Sequence, residues 1–385
     1  MSSASGFDPN LHLAPYVEPE YRLSMKDLGL DDAPAPIGVT APFKLCTLEG
    51  VKALRRDLFR PAVLERYLVH SSMTGPHAQL RGHAAETARV VYDFWTAPET
   101  LAMVSKAAGC EVMPVFDLEL GHVNIQVPSG MSREAYSATL TDDPFASSTA
   151  VQGKAEAQAD EVVDLNNLVV DWHKDAYPIV CVLMLSDVSS MRGGETAIKR
   201  GDGSIIKALG PEIGCAVLMQ GGYITHAALP CFGSAERITM VTSFRPRDAA
   251  LYRDVSNLRN ITICSDWNEL YDQWVASRIE IVQQKLARYQ EMLQQRRRAL
   301  ERQAQAPAIG RVKCDLVAPT VDLAEFARII EDVDDHLRRA LSEMKPYDSN
   351  ENPGFVWGRP RRSSSSAVQR LTLQEESVPT LAANL

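Results

Sequence analysis

Paired cysteine is the first thing this sequence lacks. Seven cysteines stand singly at positions 46, 110, 181, 215, 231, 264 and 314, and no CxxC occurs. An odd, scattered set excludes a disulfide framework and a zinc-ribbon pattern, and predicts reduced thiols in a cytoplasmic protein. Long apolar runs are missing too. No stretch of about 18 apolar residues appears, so no membrane span is expected. The first eight residues lack the basic and apolar regions of a signal peptide. Cytoplasm is therefore the expected compartment. The final Ala383-Asn384-Leu385 is only a weak form of the peroxisomal Ser-Lys-Leu address. There is no basic excess: 40 Lys and Arg stand against 49 Asp and Glu, a net charge of −9, which argues against a nucleic-acid partner. No internal repeat is evident. Glycine and proline are absent from 267–303, so nothing there interrupts a long helix.

What is present is an ordinary globular balance, 45% hydrophobic and 23% charged, over a length that suits one large domain or two ordinary ones. Residues 1–46, rich in Pro, Asp and Gly, read as an extended N-terminal arm. Apolar residues from Val51 to Leu68 recur at helical steps, with Pro61 splitting the helix. A second helix is predicted over 83–95. A third opens on the capping-box spacing Thr96-Ala-Pro-Glu99 and ends at Gly109. The period then becomes strand-like at 112–116 and 122–127. Residues 128–167 are polar and weakly patterned, the character of a lid or of a surface insert. From 168 to 246, short strands alternate with Gly193-Gly194, Gly201-Asp202-Gly203 and Gly221-Gly222, a pattern that fits a β-sandwich or jelly roll. Ile279, Val282, Leu286, Tyr289 and Leu293 then step as a heptad seam, and Leu323 to Leu337 give a second amphipathic helix. The seam could join two copies as a homodimer, but packing within the chain is favoured.

The chemistry gathers in 168–246. In an extended segment residues i and i+2 share a face, so His173 and Asp175 of His173-Lys174-Asp175 can reach one ion. His226 follows 51 residues later, beyond Gly221-Gly222, as a third ligand. Two imidazoles and one carboxylate leave open positions suited to non-heme Fe(II). Arg237 stands eleven residues past His226, with Thr239 on the same strand face, and a guanidinium forks onto a carboxylate. A lone HxD triplet is weak evidence; its specificity comes from the strand before it and the partners after it.

The order HxD, His, Arg-x-Ser/Thr resembles the catalytic core of the Fe(II)/2-oxoglutarate-dependent oxygenases, over roughly 112–246. Leu185 to Thr196 and Gly214 to Gly222 resemble the prolyl-hydroxylase-like branch, and the overall build resembles fungal members of the family. That resemblance implies an α+β chain with a double-stranded β-helix (jelly-roll) core, N-terminal helices and a C-terminal helical pair. His173, Asp175 and His226 would bind iron and be the catalytic centre. Arg237, assisted by Thr239, would hold the distal carboxylate of 2-oxoglutarate. Asn124 would touch the cosubstrate from an upstream strand, and Gln126, on the same face, is a candidate substrate contact. The arginine, where that branch often has lysine, puts a strict prolyl-hydroxylase assignment in doubt. Fe(II), 2-oxoglutarate and O₂ are the implied cofactors. The expected reaction is oxidation of a C–H bond, by hydroxylation, desaturation or cyclisation, in a small molecule such as an amino acid or secondary metabolite.

The expected organisation is an arm at 1–46, an oxygenase domain at 47–265, a helical extension at 266–345 and a C-terminal segment and tail at 346–385. Phe355 and Trp357, an aromatic pair costly to leave exposed, are expected to fold back, either onto the mouth of the site as substrate contacts or against a helix. Trp172, beside His173, should face the other way and join the core. Lys174, Arg192, Arg245 and Arg359 are candidate partners for a substrate carboxylate. Two other classes stay open on the residues alone. A metal-binding cupin-like protein without 2-oxoglutarate turnover needs the ligands but not Arg237. An interaction protein working through the 267–303 helix needs neither.

Overall fold

The computed structural model describes residues 6–30, 34–69, 77–126, 131–145, 168, 170–208, 210–229, 231–232, 236–249, 254–259, 261–303 and 319–345. Phe355, Trp357, Arg359, the tail and residues 128–130 and 146–167 of the expected insert lie outside this set.

The N-terminal segment carries a short helix, α1 (Pro9–His12), and three strands, β1 (Arg22–Ser24), β2 (Ile37–Thr40) and β3 (Phe43–Lys44). The arm expected from sequence is thus part of a sheet; its strands are too short for a period to show. Helices α2 (Leu48–Leu58) and α3 (Pro61–Tyr67) follow, split at Pro61 as predicted. Next come β4 (Leu68–Val69), β5 (Ala78–Leu80), α4 (Arg89–Thr96) and α5 (Pro98–Ala108). The capping box does not form. The Thr96 hydroxyl donates to the Tyr92 carbonyl of the preceding helix at 2.8 Å, and Pro98 opens α5 without a side-chain cap. Gly109 closes that helix at φ +72°, a conformation that only glycine adopts cheaply.

The remaining strands are β6 (Val112–Pro114), β7 (His122–Gln126), β8 (Val170–His173), β9 (Ile179–Met184), β10 (Arg192–Gly193), β11 (Thr196–Lys199), β12 (Ile205–Ala208), β13 (Cys215–Met219), β14 (His226–Ala228), β15 (Cys231–Phe232) and β16 (Arg237–Pro246), with α6 (Arg133–Ser137) between β7 and β8. Among the described residues they build a ten-stranded antiparallel sheet, ordered β1-β2-β13-β9-β16-β7-β5-β4, with β3 on β13 and β6 on β16. A four-stranded sheet, β12-β11-β14-β8, lies apart from it in pairing, and β10 pairs β15. The chain is therefore a mixture of helices and antiparallel sheets.

Period-2 alternation decides which face of the large sheet does what. Ile238, Met240 and Phe244 of β16, Val123 and Ile125 of β7, and Cys181 and Leu183 of β9 pack with Leu54, Leu58, Val91 and Trp95 of the helices in one core. Trp95 is fully buried, edge-on to Phe94 at 5.1 Å and to Phe244 at 6.0 Å. Each such ring contributes roughly 1.5–3 kcal/mol of transfer free energy. The described part of the insert joins this face: Tyr136 and Leu140 are buried in the same core, and Thr141 accepts from Arg55. It therefore covers helices, not the opposite face where a lid would act.

The C-terminal helices α7 (Trp267–Gln303) and α8 (Leu323–Ser342) pair antiparallel, since Trp274 donates to the Ala340 carbonyl, Lys285 pairs Asp332 and Arg296 pairs Glu325. The expected seam divides: Tyr289 is buried against Phe326, while Ile279 and Leu286 are each 46% exposed. No helix among the described residues is long and apolar enough to cross a membrane.

Candidate active site

The other face of the large sheet and the inner face of the small one enclose a cavity of about 320 Å³. His173 and His226 sit opposite each other in the β8–β14 pairing, with ring centroids 4.3 Å apart. Asp175 lies two residues past the end of β8, and its backbone N–H donates to the Gly221 carbonyl at 2.9 Å. The turn at Gly221, rather than continued strand geometry, thus brings the carboxylate to the face His173 uses. Asp175 Oδ1 lies 3.6 Å from the Nε2 atoms of both histidines. One ligand atom from each residue falls within 4.8 Å of the other two.

Three local features prepare this cluster for a cation. His173 Nδ1 lies 2.7 Å from the Asp171 carbonyl, and His226 Nδ1 lies 3.0 Å from the Ile224 carbonyl. A carbonyl only accepts, so both imidazoles carry a proton on Nδ1 and turn Nε2 inward, as the atom a metal would take. The Asp175 carboxylate has room only because residue 221 is glycine: a Cβ there would stand 1.7 Å from Oδ2. The charges agree. Burial opposes ionisation of Asp175, but the flanking imidazoles outweigh it and hold its pKa below the usual value. Burial dominates at His226, keeping it neutral, the ligand form. At His173 the carboxylate outweighs burial and raises the pKa. A donor set of two imidazoles and one carboxylate fits Fe(II), with room for further ligands on the cavity side.

Arg237 opens β16 and lines the same cavity. No carboxylate among the described residues pairs with it, and its buried Nε has no hydrogen-bond partner there. Burial accordingly lowers its pKa, and a stranded buried donor costs about 1–3 kcal/mol. The residue before it is anchored on the other face of the sheet. Glu236, the preceding residue, accepts from Arg55 at 2.6 Å and 3.2 Å and from Ser186 at 2.9 Å, all in the helix-side core. Thr239, 3% exposed, follows on the cavity face.

In register, β7 sets Gln126 opposite Arg237, Asn124 opposite Thr239 and His122 opposite Val241. All three β7 residues line the cavity. Asn124 accepts from Gln79 at 2.9 Å, and Gln126 accepts from the Cys231 thiol at 3.1 Å. The structure thus brings His173, Asp175, His226, Arg237, Thr239, Asn124 and Gln126 to one space.

Other readings need correction. Trp172 is only half-buried, packed as expected on the side away from the cavity, against the small cluster Ala197, Ala227 and Leu229, with the Lys199 ammonium 5.6 Å from its ring. Lys174 and Arg192 are exposed away from the cavity, and buried Arg245 is paired with Glu280 of α7 at 3.1 Å. Besides Arg237, Arg81 lines the cavity, ion-paired with Glu119; both side chains are almost fully buried. Sequence patterning missed both, because Arg81 follows a three-residue strand and Glu119 sits in the turn 117–119, where no period exists.

No family model matches the chain, and no curated protein matches it in sequence. Solved structures do resemble it. A prolyl-4-hydroxylase of Pseudomonas putida is 16% identical at a TM-score of 0.32, over 58% of this chain and 97% of that one. An oxidoreductase of the 2OG-Fe(II) oxygenase family from Burkholderia pseudomallei is 12% identical at 0.28, over 47% and 64%. A dioxygenase for auxin oxidation in rice is 10% identical at 0.27, over 52% and 69%. At scores this low the likeness bears no weight of its own, and the chemistry rests on the cavity.

Proposed function

We propose that this protein is a non-heme Fe(II)- and 2-oxoglutarate-dependent oxygenase that oxidises a C–H bond of a small molecule, its two facing sheets being the walls of a double-stranded β-helix. One observation carries the reading. A His-Asp-His cluster that turns both Nε2 atoms inward shares one cavity with a half-buried arginine that has no carboxylate partner among the described residues. A metal-binding protein without a cosubstrate has no use for such an arginine, whereas a dicarboxylate chelating the metal at one end needs a cation at the other.

His173, Asp175 and His226 would hold the iron on one side and leave the cavity side free. Iron(II) with 2-oxoglutarate and O₂ supplies an oxidant able to take hydrogen from an unactivated C–H bond, while 2-oxoglutarate becomes succinate and CO₂. The protein's own work is positional. The backbone acceptors at Asp171 and Ile224 lock the imidazole tautomers, and Gly221 makes room for the carboxylate. Arg237 forks onto the distal carboxylate of the cosubstrate, Thr239 adds a hydroxyl donor, and Asn124 lies beside it on the next strand. The apolar floor from Val180, Val182 and Val241 keeps water from the reacting centre.

The test is anaerobic. Adding Fe(II) and then 2-oxoglutarate should produce a visible metal-to-ligand charge-transfer band; its absence from well-folded protein would sink the oxygenase reading. Arg237→Gln should weaken 2-oxoglutarate affinity about 10- to 100-fold, as expected for a lost charged hydrogen-bond pair, and leave Fe(II) affinity unchanged. Wild-type 2-oxoglutarate affinity in that variant removes the arginine's role.

A further inference from the structure

The polar residues on the cavity face of β5, β7 and β16 are joined to one another. Neighbouring strands set Gln79, Asn124 and Thr239 side by side in one row, and His122 beside Val241 in the next. Gln79 Nε2 donates to Asn124 Oδ1 at 2.9 Å. Arg81, just past β5, places Nη1 3.2 Å from His122 Nδ1, and the His122 ring is hydrogen-bonded in turn to the Asn124 side chain. Behind Arg81, Glu119 closes the chain, paired with the guanidinium and accepting from the Ser243 hydroxyl. Gln79, Arg81, Glu119, His122, Asn124 and Ser243 all line the cavity.

The chain has a fixed direction, and Arg81 sets it. A guanidinium only donates, so His122 Nδ1 is the acceptor. Burial, and after it the Arg81 charge, holds the His122 imidazole well below its usual pKa. The ring is therefore neutral, and with Nδ1 accepting its one proton sits on Nε2. An N–H can only donate, so Asn124 meets it with Oδ1. That oxygen also takes the Gln79 bond, and its two lone pairs are then both used. An amide carries its oxygen and nitrogen on opposite sides. With the oxygen held from β5, the nitrogen is left on the side of β16, where Thr239 and Arg237 stand.

This orientation matters for a carboxylate on the Arg237–Thr239 edge. The Asn124 NH₂ group is a third donor to it; a turned amide would face it with an oxygen, acceptor against acceptor. A group fixed in its binding orientation beforehand loses less freedom when the ligand arrives. We infer that Gln79 and His122 are positioning residues for 2-oxoglutarate, holding the Asn124 amide with its NH₂ group towards the cosubstrate, and that the buried Arg81–Glu119 pair sets the direction of their hydrogen bonds. The identity of the ligand rests on the oxygenase reading; the direction of the hydrogen bonds does not.

The experiment uses the full chain with Fe(II), and reads 2-oxoglutarate affinity by anaerobic titration of the charge-transfer band. Asn124→Ala should weaken binding about 10-fold. His122→Phe and Gln79→Leu, each leaving Asn124 in place, should weaken it by up to that factor. In the Asn124→Ala background neither should weaken it further, because residues that act through one group do not add. His122→Gln, which can accept from Arg81 and donate to Asn124 at once, should restore most of the affinity. Gln79 is half-buried, so Gln79→Leu carries the test if His122→Phe does not fold. Factors that multiply in the double variants overturn the inference, as does wild-type affinity in both single variants. Loss of Fe(II) affinity in a folded variant, measured without 2-oxoglutarate, also overturns it, since the residues would then be supporting the metal cluster. Failure of the wild-type protein to bind 2-oxoglutarate sinks the proposed function and this inference with it, whereas wild-type binding with multiplying factors sinks this one alone.

Discussion

Gly221 and Arg55 carry the sharpest consequences of single residues. A methyl group at 221 would overlap the Asp175 carboxylate. Gly221→Ala should therefore keep the fold by circular dichroism and weaken Fe(II) affinity, measured anaerobically, by about 10- to 100-fold or more, the scale on which metal centres respond to disturbed supporting contacts. Unchanged affinity would mean that the carboxylate has another way to reach the ion. Arg55 is fully buried and its main partner is Glu236. Arg55→Met leaves that carboxylate unmatched, and breaking a buried pair costs about 3–5 kcal/mol. Urea denaturation should show a loss of this size. Because Glu236 precedes Arg237, the variant should also weaken 2-oxoglutarate binding beyond what unfolding explains.

At the scale of elements, β7 and β16 divide their labour residue by residue. Odd positions of β7 and even positions of β16 pack on helices, and the alternate positions face the cavity. A strand of this kind tolerates polar residues such as Asn124 and Thr239 without losing its place, because its register is pinned by the apolar half. The strands of 168–246 were legible in the sequence for the same reason: each has an alternating or apolar run bounded by glycine turns. The arm at 1–46 was not, since two- to four-residue strands show no period, and their place in the sheet comes from β13 and β2 meeting. The helical pair tests another element. Trp274 is 1% exposed, donates to the Ala340 carbonyl and lies under the Arg278 guanidinium at 4.3 Å. Trp274→Ala should cost about 3–5 kcal/mol and raise amide exchange in α8 before the sheets. Equal protection in α8 would show that the pair is held elsewhere.

For the whole molecule, acid stability follows from two buried histidines. Burial, then the neighbouring Arg81, depresses His83 to about 3. Burial, then Arg278, depresses His336 to about 4. Both are neutral in the fold, while in the unfolded chain they protonate near pH 6.5. Between those values the unfolded state binds more protons, so stability rises with pH. Their contribution is complete above about pH 6.5 and is lost as the pH falls towards 4. Together they amount to several kcal/mol by about pH 4.5. Urea midpoints should be flat above neutrality with respect to these groups and decline below it. His336→Gln should reduce the slope; an unaltered slope would remove that residue from the account.

The sequence by itself marked the candidate residues for the proposed chemistry. The HxD triplet, His226, Arg237 and Thr239 are spaced along strands whose alternation is a local property, and their order, which resembles the oxygenase pattern, marked them. It also determined the long helix, through the absence of glycine and proline. Only the tertiary structure decided what the cavity holds besides. Arg81 and Glu119 lie 38 residues apart, one just past a short strand and the other in a turn, and their meeting depends on β5 pairing with β7 across the sheet. The two-residue step from His173 to Asp175 suggested a shared face, yet it is Gly221, 46 residues away, that makes the room. Such contacts depend on how elements pack, and no local pattern encodes them.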